Sequence, residues 1–81
     1  MENKTVTLKI TYDKGVDAAY LYFTQVGPGQ AQETYTCDDL PSKVNGDINI
    51  DFGDNGDMLG LEILQASKVL PSNILTELAS E

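Results

Sequence analysis

Val6, Leu8, Ile10 and Tyr12 alternate with Thr5, Thr7, Lys9 and Thr11. This period-two pattern, rich in β-branched residues, predicts a half-buried strand over residues 5–12. A polar stretch, Asp13-Lys14-Gly15-Val16-Asp17, reads as a turn, and a second strand is expected over 18–25. In that strand Ala19, Leu21 and Phe23 point to one face while Ala18, Tyr20 and Tyr22 point to the other. Gly27-Pro28-Gly29 breaks the chain. A third strand, over 31–37, contains Gln32, Glu33, Thr34, Tyr35 and Thr36 but few aliphatics, which suits an edge or surface position. Residues 38–45 read as an exposed connection.

The second half alternates more cleanly. Ile48, Ile50 and Phe52 are interleaved with Asp47, Asn49 and Asp51, predicting a strand over 47–52. Asn55-Gly56 is a strong hairpin signal because both residues tolerate positive φ. The return strand, over 58–64, sets Leu59, Leu61 and Ile63 on one side, and Gly60 within it implies a bulge or a close backbone approach. From Pro71 the period changes: proline in the first turn and Ser72 as a cap open a helix over 72–80, with Ile74, Leu75, Leu78 and Ala79 as its apolar stripe. A helix this short is unstable alone and must dock on the sheet or on another chain. The whole is expected to be one α+β domain over 1–81: a small antiparallel β-meander of four or five strands with a short C-terminal helix.

Size and charge then narrow the function classes. A chain of 81 residues buries only about 60% of its unfolded surface, so its core is marginal and pairing with a second copy is a natural supplement. Thirteen acidic residues face five lysines, no arginine and no histidine, giving a net charge of −8. Such a body repels nucleic acid and anionic membranes and favours basic or neutral protein partners. The N-terminus, Met1 to Thr5, lacks the charged and apolar regions of a secretory signal. No apolar run is long enough to span a bilayer. Cys37, the single cysteine, excludes an internal disulfide and suits a reduced, cytoplasmic setting.

Read together, Tyr12-Asp13, Asp17-Ala18-Ala19-Tyr20-Leu21, the acidic glycine turn from Asp51 to Gly56, Gly60-Leu61-Glu62-Ile63-Leu64 and Ala66-Ser67 resemble a prokaryotic family, domain of unknown function 2283. The resemblance runs from about Thr7 to Leu70. The stretch 25–45 is longer than the family's usual middle, and the helix after Leu70 is an added tail. The resemblance implies a small β-rich fold and carries over no catalytic residue.

Candidate chemistry is sparse. Without histidine or arginine, and with its acids gathered in expected turns, the chain offers no catalytic set, and no enzyme activity or cofactor is expected. Asp51, Asp54, Asn55 and Asp57 surround one glycine-rich turn with hard oxygen ligands. Their spacing departs from the calcium-loop pattern, and a turn satisfied by its own side chains explains them better. Tyr20 and Tyr22, with Tyr35 on the neighbouring strand, form the candidate contact patch, since aromatic rings with polar tips are enriched at interfaces. Either the C-terminal helix covers these rings or they face a partner. Asp38, Asp39 and Asp54 are the expected acidic rim. The expected function is a non-catalytic protein-interaction module, self-associating as a homodimer. Two alternatives stand beside it: an acidic inhibitor, of antitoxin or anti-defence type, that blocks a basic nucleic-acid-binding partner, and a small-ligand or calcium-binding module.

Overall fold

The computed structural model describes residues 2–27 and 29–79. Pro28 of the glycine-proline break and Ser80 of the expected helix lie outside the described residues, as does Met1. Five strands form one open antiparallel sheet: β1 (Lys9–Asp13), β2 (Ala18–Tyr22), β3 (Glu33–Thr36), β4 (Asp47–Phe52) and β5 (Met58–Leu64). A short 3-10 turn (Ala66–Lys68) leads into the single described α-helix, α1 (Ser72–Ala79).

The sheet order is β1-β2-β5-β4-β3. Each of β1–β2, β3–β4 and β4–β5 is a local antiparallel pair, whereas β2–β5 joins the two halves, with Ala18 opposite Leu64 and Tyr22 opposite Gly60. Directly paired residues share a face, so register assigns the two surfaces. Ile10, Leu21, Leu61, Ile50 and Tyr35 form one row across all five strands. Tyr12, Ala19, Ile63 and Ile48 form the next row on the same, aliphatic face. Lys9, Tyr20, Tyr22, Glu62, Asn49, Asp51 and Thr34 occupy the opposite face.

The core sits at one end of the aliphatic face. Ala19, Ile63 and Ala66 are buried, and Tyr12, Val69 and Leu70 pack around them. The segment entering α1 therefore runs on the side of the sheet opposite to Tyr20 and Tyr22. Gly46 makes this closure possible, because a side chain there would strike the Leu64 carbonyl and Val69. In α1 Ile74, Leu75 and Leu78 are half-buried.

Several boundaries differ from those expected. The first ladder begins at Lys9, not at residue 5, because its partner leaves the ladder after Tyr22. Phe23 makes one more bond, its N–H to the Leu59 carbonyl at 3.0 Å, before the chain bends away. β2 thus ends at Tyr22 and not at residue 25, and residues 5–8 are left exposed outside the sheet. The third strand is shorter than 31–37, although Gln32 and Cys37 each donate a backbone bond to β4. Ser72 is the first helical residue and not the cap: the Pro71 carbonyl accepts the N–H groups of Ile74 and Leu75.

The β4–β5 turn is also built differently. The Gly56 N–H donates to the Gly53 carbonyl at 3.0 Å, and only Gly56 has positive φ, at 88°, while Asn55 does not. Beyond the turn, Phe52 faces Met58 while Asp51 faces Gly60, leaving Leu59 as the extra residue of a bulge.

With so few buried side chains, each carries a large share of the stability. Ile63→Ala is expected to cost about 2–4 kcal/mol by loss of burial and the cavity left behind. Lys43→Ala, at an exposed turn position, is expected to change stability by under about 0.5 kcal/mol. Urea midpoints of the two variants against the parent check this.

Candidate functional site

Two side-chain clusters organise the polar residues. The first is a clasp at the end of the β2–β5 ladder. Asp17 takes a left-handed conformation, φ 53°, at the close of the β1–β2 turn. This is strained for a side-chain-bearing residue, though aspartate tolerates it better than most. Its carboxylate accepts three hydrogen bonds: from the Tyr12 hydroxyl at 2.8 Å, the Ser67 N–H at 2.9 Å and the Ser67 hydroxyl at 2.7 Å. Its carbonyl accepts the Ala66 N–H at 2.9 Å.

The bonds from Ser67, its hydroxyl foremost, hold the Asp17 carboxyl below the usual aspartate range, and the same carboxylate pushes the Tyr12 phenol up. Gln65, also left-handed at φ 55°, turns the chain so that Ala66 and Ser67 reach Asp17. Tyr12, Asp17, Ala19, Ala66 and Ser67, all part of the family-like pattern, thus serve one structural closure.

The second cluster crosses the opposite face. The Tyr20 hydroxyl donates to Asp51 Oδ2 at 2.6 Å, and the Thr34 hydroxyl donates to Asp51 Oδ1 at 2.6 Å. Tyr20 lies diagonally over Gly60, where any Cβ would enter the ring and stand 2.7 Å from the Leu21 carbonyl. Covering a strand glycine with an aromatic ring from the adjacent strand is a known way of closing such a gap. Burial, followed by the bond to Asp51, raises the Tyr20 phenol well above its ordinary range. Tyr22 packs against Tyr20 with ring centroids 4.6 Å apart, and Lys9 Nζ stands 5.2 Å from the centre of the Tyr22 ring. Beside them Asn49 Nδ2 donates to Glu62 Oε1 at 2.9 Å. The result is a polar strap across the sheet from Lys9 to Thr34.

The expected contact residues are therefore not all together. Tyr20 and Tyr22 share this face, but Tyr35 does not. β3 pairs with β4 and not with β2, and its register with Ile50 puts Tyr35 on the aliphatic face at the far edge, 57% exposed. The acidic rim is divided as well. Asp54 lies in the β4–β5 turn, while Asp38 and Asp39 follow Cys37 near the opposite end of β4. Asp51, Glu62, Asn49, Thr34 and Lys9 are strap members outside the contact patch and acidic rim expected from the sequence. For Asn49, Asp51 and Glu62 the signal is the polar half of the alternation in β4 and β5, and for Lys9 that of β1; Thr34 lies in β3, where no aliphatic contrast marks the face.

Of the four candidate calcium ligands around the turn, Asn55 and Asp57 bond to each other at 3.2 Å, while Asp51 is held by Tyr20 and Thr34 on the polar face. No group of three or more His, Cys, Asp or Glu side chains converges among the described residues. None of the described helices is long and apolar enough to cross a membrane. Two open concavities flank the first hairpin. One, of about 280 Å³, lies beside Thr11, Ala18, Tyr20 and Glu62. The larger, of about 880 Å³, opens between the residue 7–9 stretch and the exit of β2, lined by Leu8, Lys9, Tyr22, Phe23 and Val26.

Two substitutions test these clusters. Asp17→Asn is expected to lower Tm by several degrees at neutral pH, since an amide cannot reproduce three accepted bonds. Because the folded carboxyl titrates below its unfolded value, the parent's advantage is fully present above about pH 4 and is lost as pH falls through the folded pKa. The two proteins should converge in strong acid, which thermal melts across pH will show. Gly60→Ala is expected to cost roughly 1–3 kcal/mol by expelling the Tyr20 ring, read from urea midpoints and loss of the tyrosine near-ultraviolet dichroism.

No curated protein and no solved structure matches the chain. The model of one family, described as a protein of unknown function (DUF2283), matches residues 9–67. That span begins at the first residue of β1 and ends at Ser67, so it contains the whole sheet and both halves of the Asp17 clasp: the chain belongs to the DUF2283 family.

Proposed function

We propose that this protein is a non-catalytic, self-associating interaction module of the cytoplasm. The observation that carries this reading is the incomplete cover of the aliphatic face. The buried apolar core consists of Ala19, Ile63 and Ala66, while Ile10, Leu21, Leu61 and Ile50 are only half-buried. Further apolar surface gathers along the β1–β2 side, where Val6 is 79%, Leu8 39% and Phe23 40% exposed. A domain of this size gains most from burying such surface against a partner, and a second copy is always at hand. Tyr20 and Tyr22 are engaged in the strap, through the bond to Asp51 and their mutual ring contact, and so are not free contact residues.

A second reading draws on the charge distribution. Residues 33–62 carry Glu33, Asp38, Asp39, Asp47, Asp51, Asp54, Asp57 and Glu62 against Lys43 alone. An acidic half of this kind suits a basic protein partner, as an inhibitor of a nucleic-acid-binding surface would require.

Sedimentation equilibrium tests the first reading. The expected mass is twice 8.8 kDa, with a Tm that rises with protein concentration; a monomer at every concentration up to roughly 1 mM overturns it. Affinity capture at low and high salt tests the second, which requires a basic partner retained only at low salt.

A further inference from the structure

We infer that the self-associating surface is the outer edge of β1, which pairs antiparallel with the same edge of a second copy to make one ten-stranded sheet. This rests on the reading of the protein as self-associating and adds the surface and the register.

β1 ends the sheet order, and its outer edge has no partner strand among the described residues. An unpaired edge presents backbone donors and acceptors ready for another strand. The sequence of this edge, Lys9-Ile10-Thr11-Tyr12-Asp13, is complementary to its own reverse. With a two-fold axis through Thr11, Lys9 faces Asp13 of the second copy, Ile10 faces Tyr12, Thr11 faces Thr11, and the Lys9–Asp13 pair occurs twice by symmetry. Opposite charges, an aliphatic against an aromatic ring, and threonine against threonine are favourable cross-strand pairs.

Paired residues in a sheet must share a face, which Lys9, Thr11 and Asp13 do on one side and Ile10 and Tyr12 on the other. Centring the axis on Lys9 or Asp13 would oppose like charges. Centring it on Ile10 or Tyr12 would leave lysine and aspartate without each other. The Thr11 axis also carries Val6, five residues before it, towards Val16 of the second copy, five residues after it. These are the two most exposed of the large apolar side chains, at 79% and 69%.

Charge selects this edge over the other. Residues 2–14 hold three of the five lysines, Lys4, Lys9 and Lys14, and only two acids, Glu2 and Asp13. The remainder of the chain carries two lysines against eleven acids. At the opposite edge β3 is flanked by Glu33, Asp38 and Asp39, so two copies meeting there would bring like charges together. Only at β1 can two bodies of charge −8 approach along a near-neutral line.

The test uses the full chain in sedimentation and cross-linking. Lys9→Asp should weaken the dimer on the order of tenfold or more, because carboxylates then face carboxylates across the two-fold. Lys9→Asp combined with Asp13→Lys should restore it, which a folding defect in the single variant could not explain. Independently, Thr11→Cys in a Cys37→Ser background should form an intermolecular disulfide on mild oxidation, since residues on the axis bring their Cα atoms within bridging range. A monomeric parent overturns both the general reading and this one. A dimer that ignores Lys9→Asp and cross-links through Tyr35→Cys instead of Thr11→Cys overturns the β1 edge while leaving self-association standing.

Discussion

The two halves of this sheet meet along the β2–β5 ladder, and the Asp17 carboxylate holds the end of that ladder shut. Everything on one side, the β1–β2 hairpin, and everything on the other, the three-stranded β3–β4–β5 unit, is local in sequence. Asp17 reaches across by accepting both polar hydrogens of Ser67 on its side chain and the Ala66 N–H on its carbonyl. This places Ala66 against Ala19 and Ile63, and so creates the buried core from two distant segments. Tyr12 adds a bond from β1 and packs its ring against the same core. The positive φ of Asp17 and Gln65 is tolerated because this network over-determines both turns.

The two faces of the sheet divide the remaining work. On the polar face, Tyr20 bridges from β2 over Gly60 of β5 to Asp51 of β4, and Thr34 extends the bond to β3. The strap ties four strands together without help from a second layer. The aliphatic face has the opposite character. It is covered well only where the 3-10 turn returns over it, and its outer positions remain accessible. This imbalance between the two faces is the observation on which the proposed self-association rests.

Much of this was legible in the chain. Alternation located five strands, and the sides of β2, β4 and β5 followed from it without a structure. Gly60 announced a close approach, although not that Tyr20 would supply it. What escaped was information that alternation does not carry. The side occupied by Tyr35 could not be read because Glu33, Thr34 and Thr36 offer no aliphatic contrast, and neighbouring strands are not chosen by periodicity. Asp17 looked like an ordinary turn residue, since its significance depends on Ser67, which lies far along the chain. Asp51 read as part of an acidic turn, although its place in the polar half of β4 already pointed it towards the tyrosines. Most residues of the family pattern thereby acquire a physical meaning: Tyr12, Asp17 to Leu21, Gly60 to Leu64, Ala66 and Ser67 build the seam.

The strand order also bears on how the chain reaches this state. The first hairpin and the β3–β4–β5 unit can each form from short-range contacts, but neither alone contains the core. Ala18 must find Leu64, closing most of the polypeptide into one loop before any apolar side chain is fully sheltered. Docking of two preformed pieces is therefore the slow, entropically opposed step, and high contact order should make this small protein a sluggish folder for its length. Until that step is complete the edges of both β2 and β5 stand open, and each is a template for the wrong chain. The abundant negative charge then acquires a kinetic role, keeping half-assembled molecules apart while the seam closes.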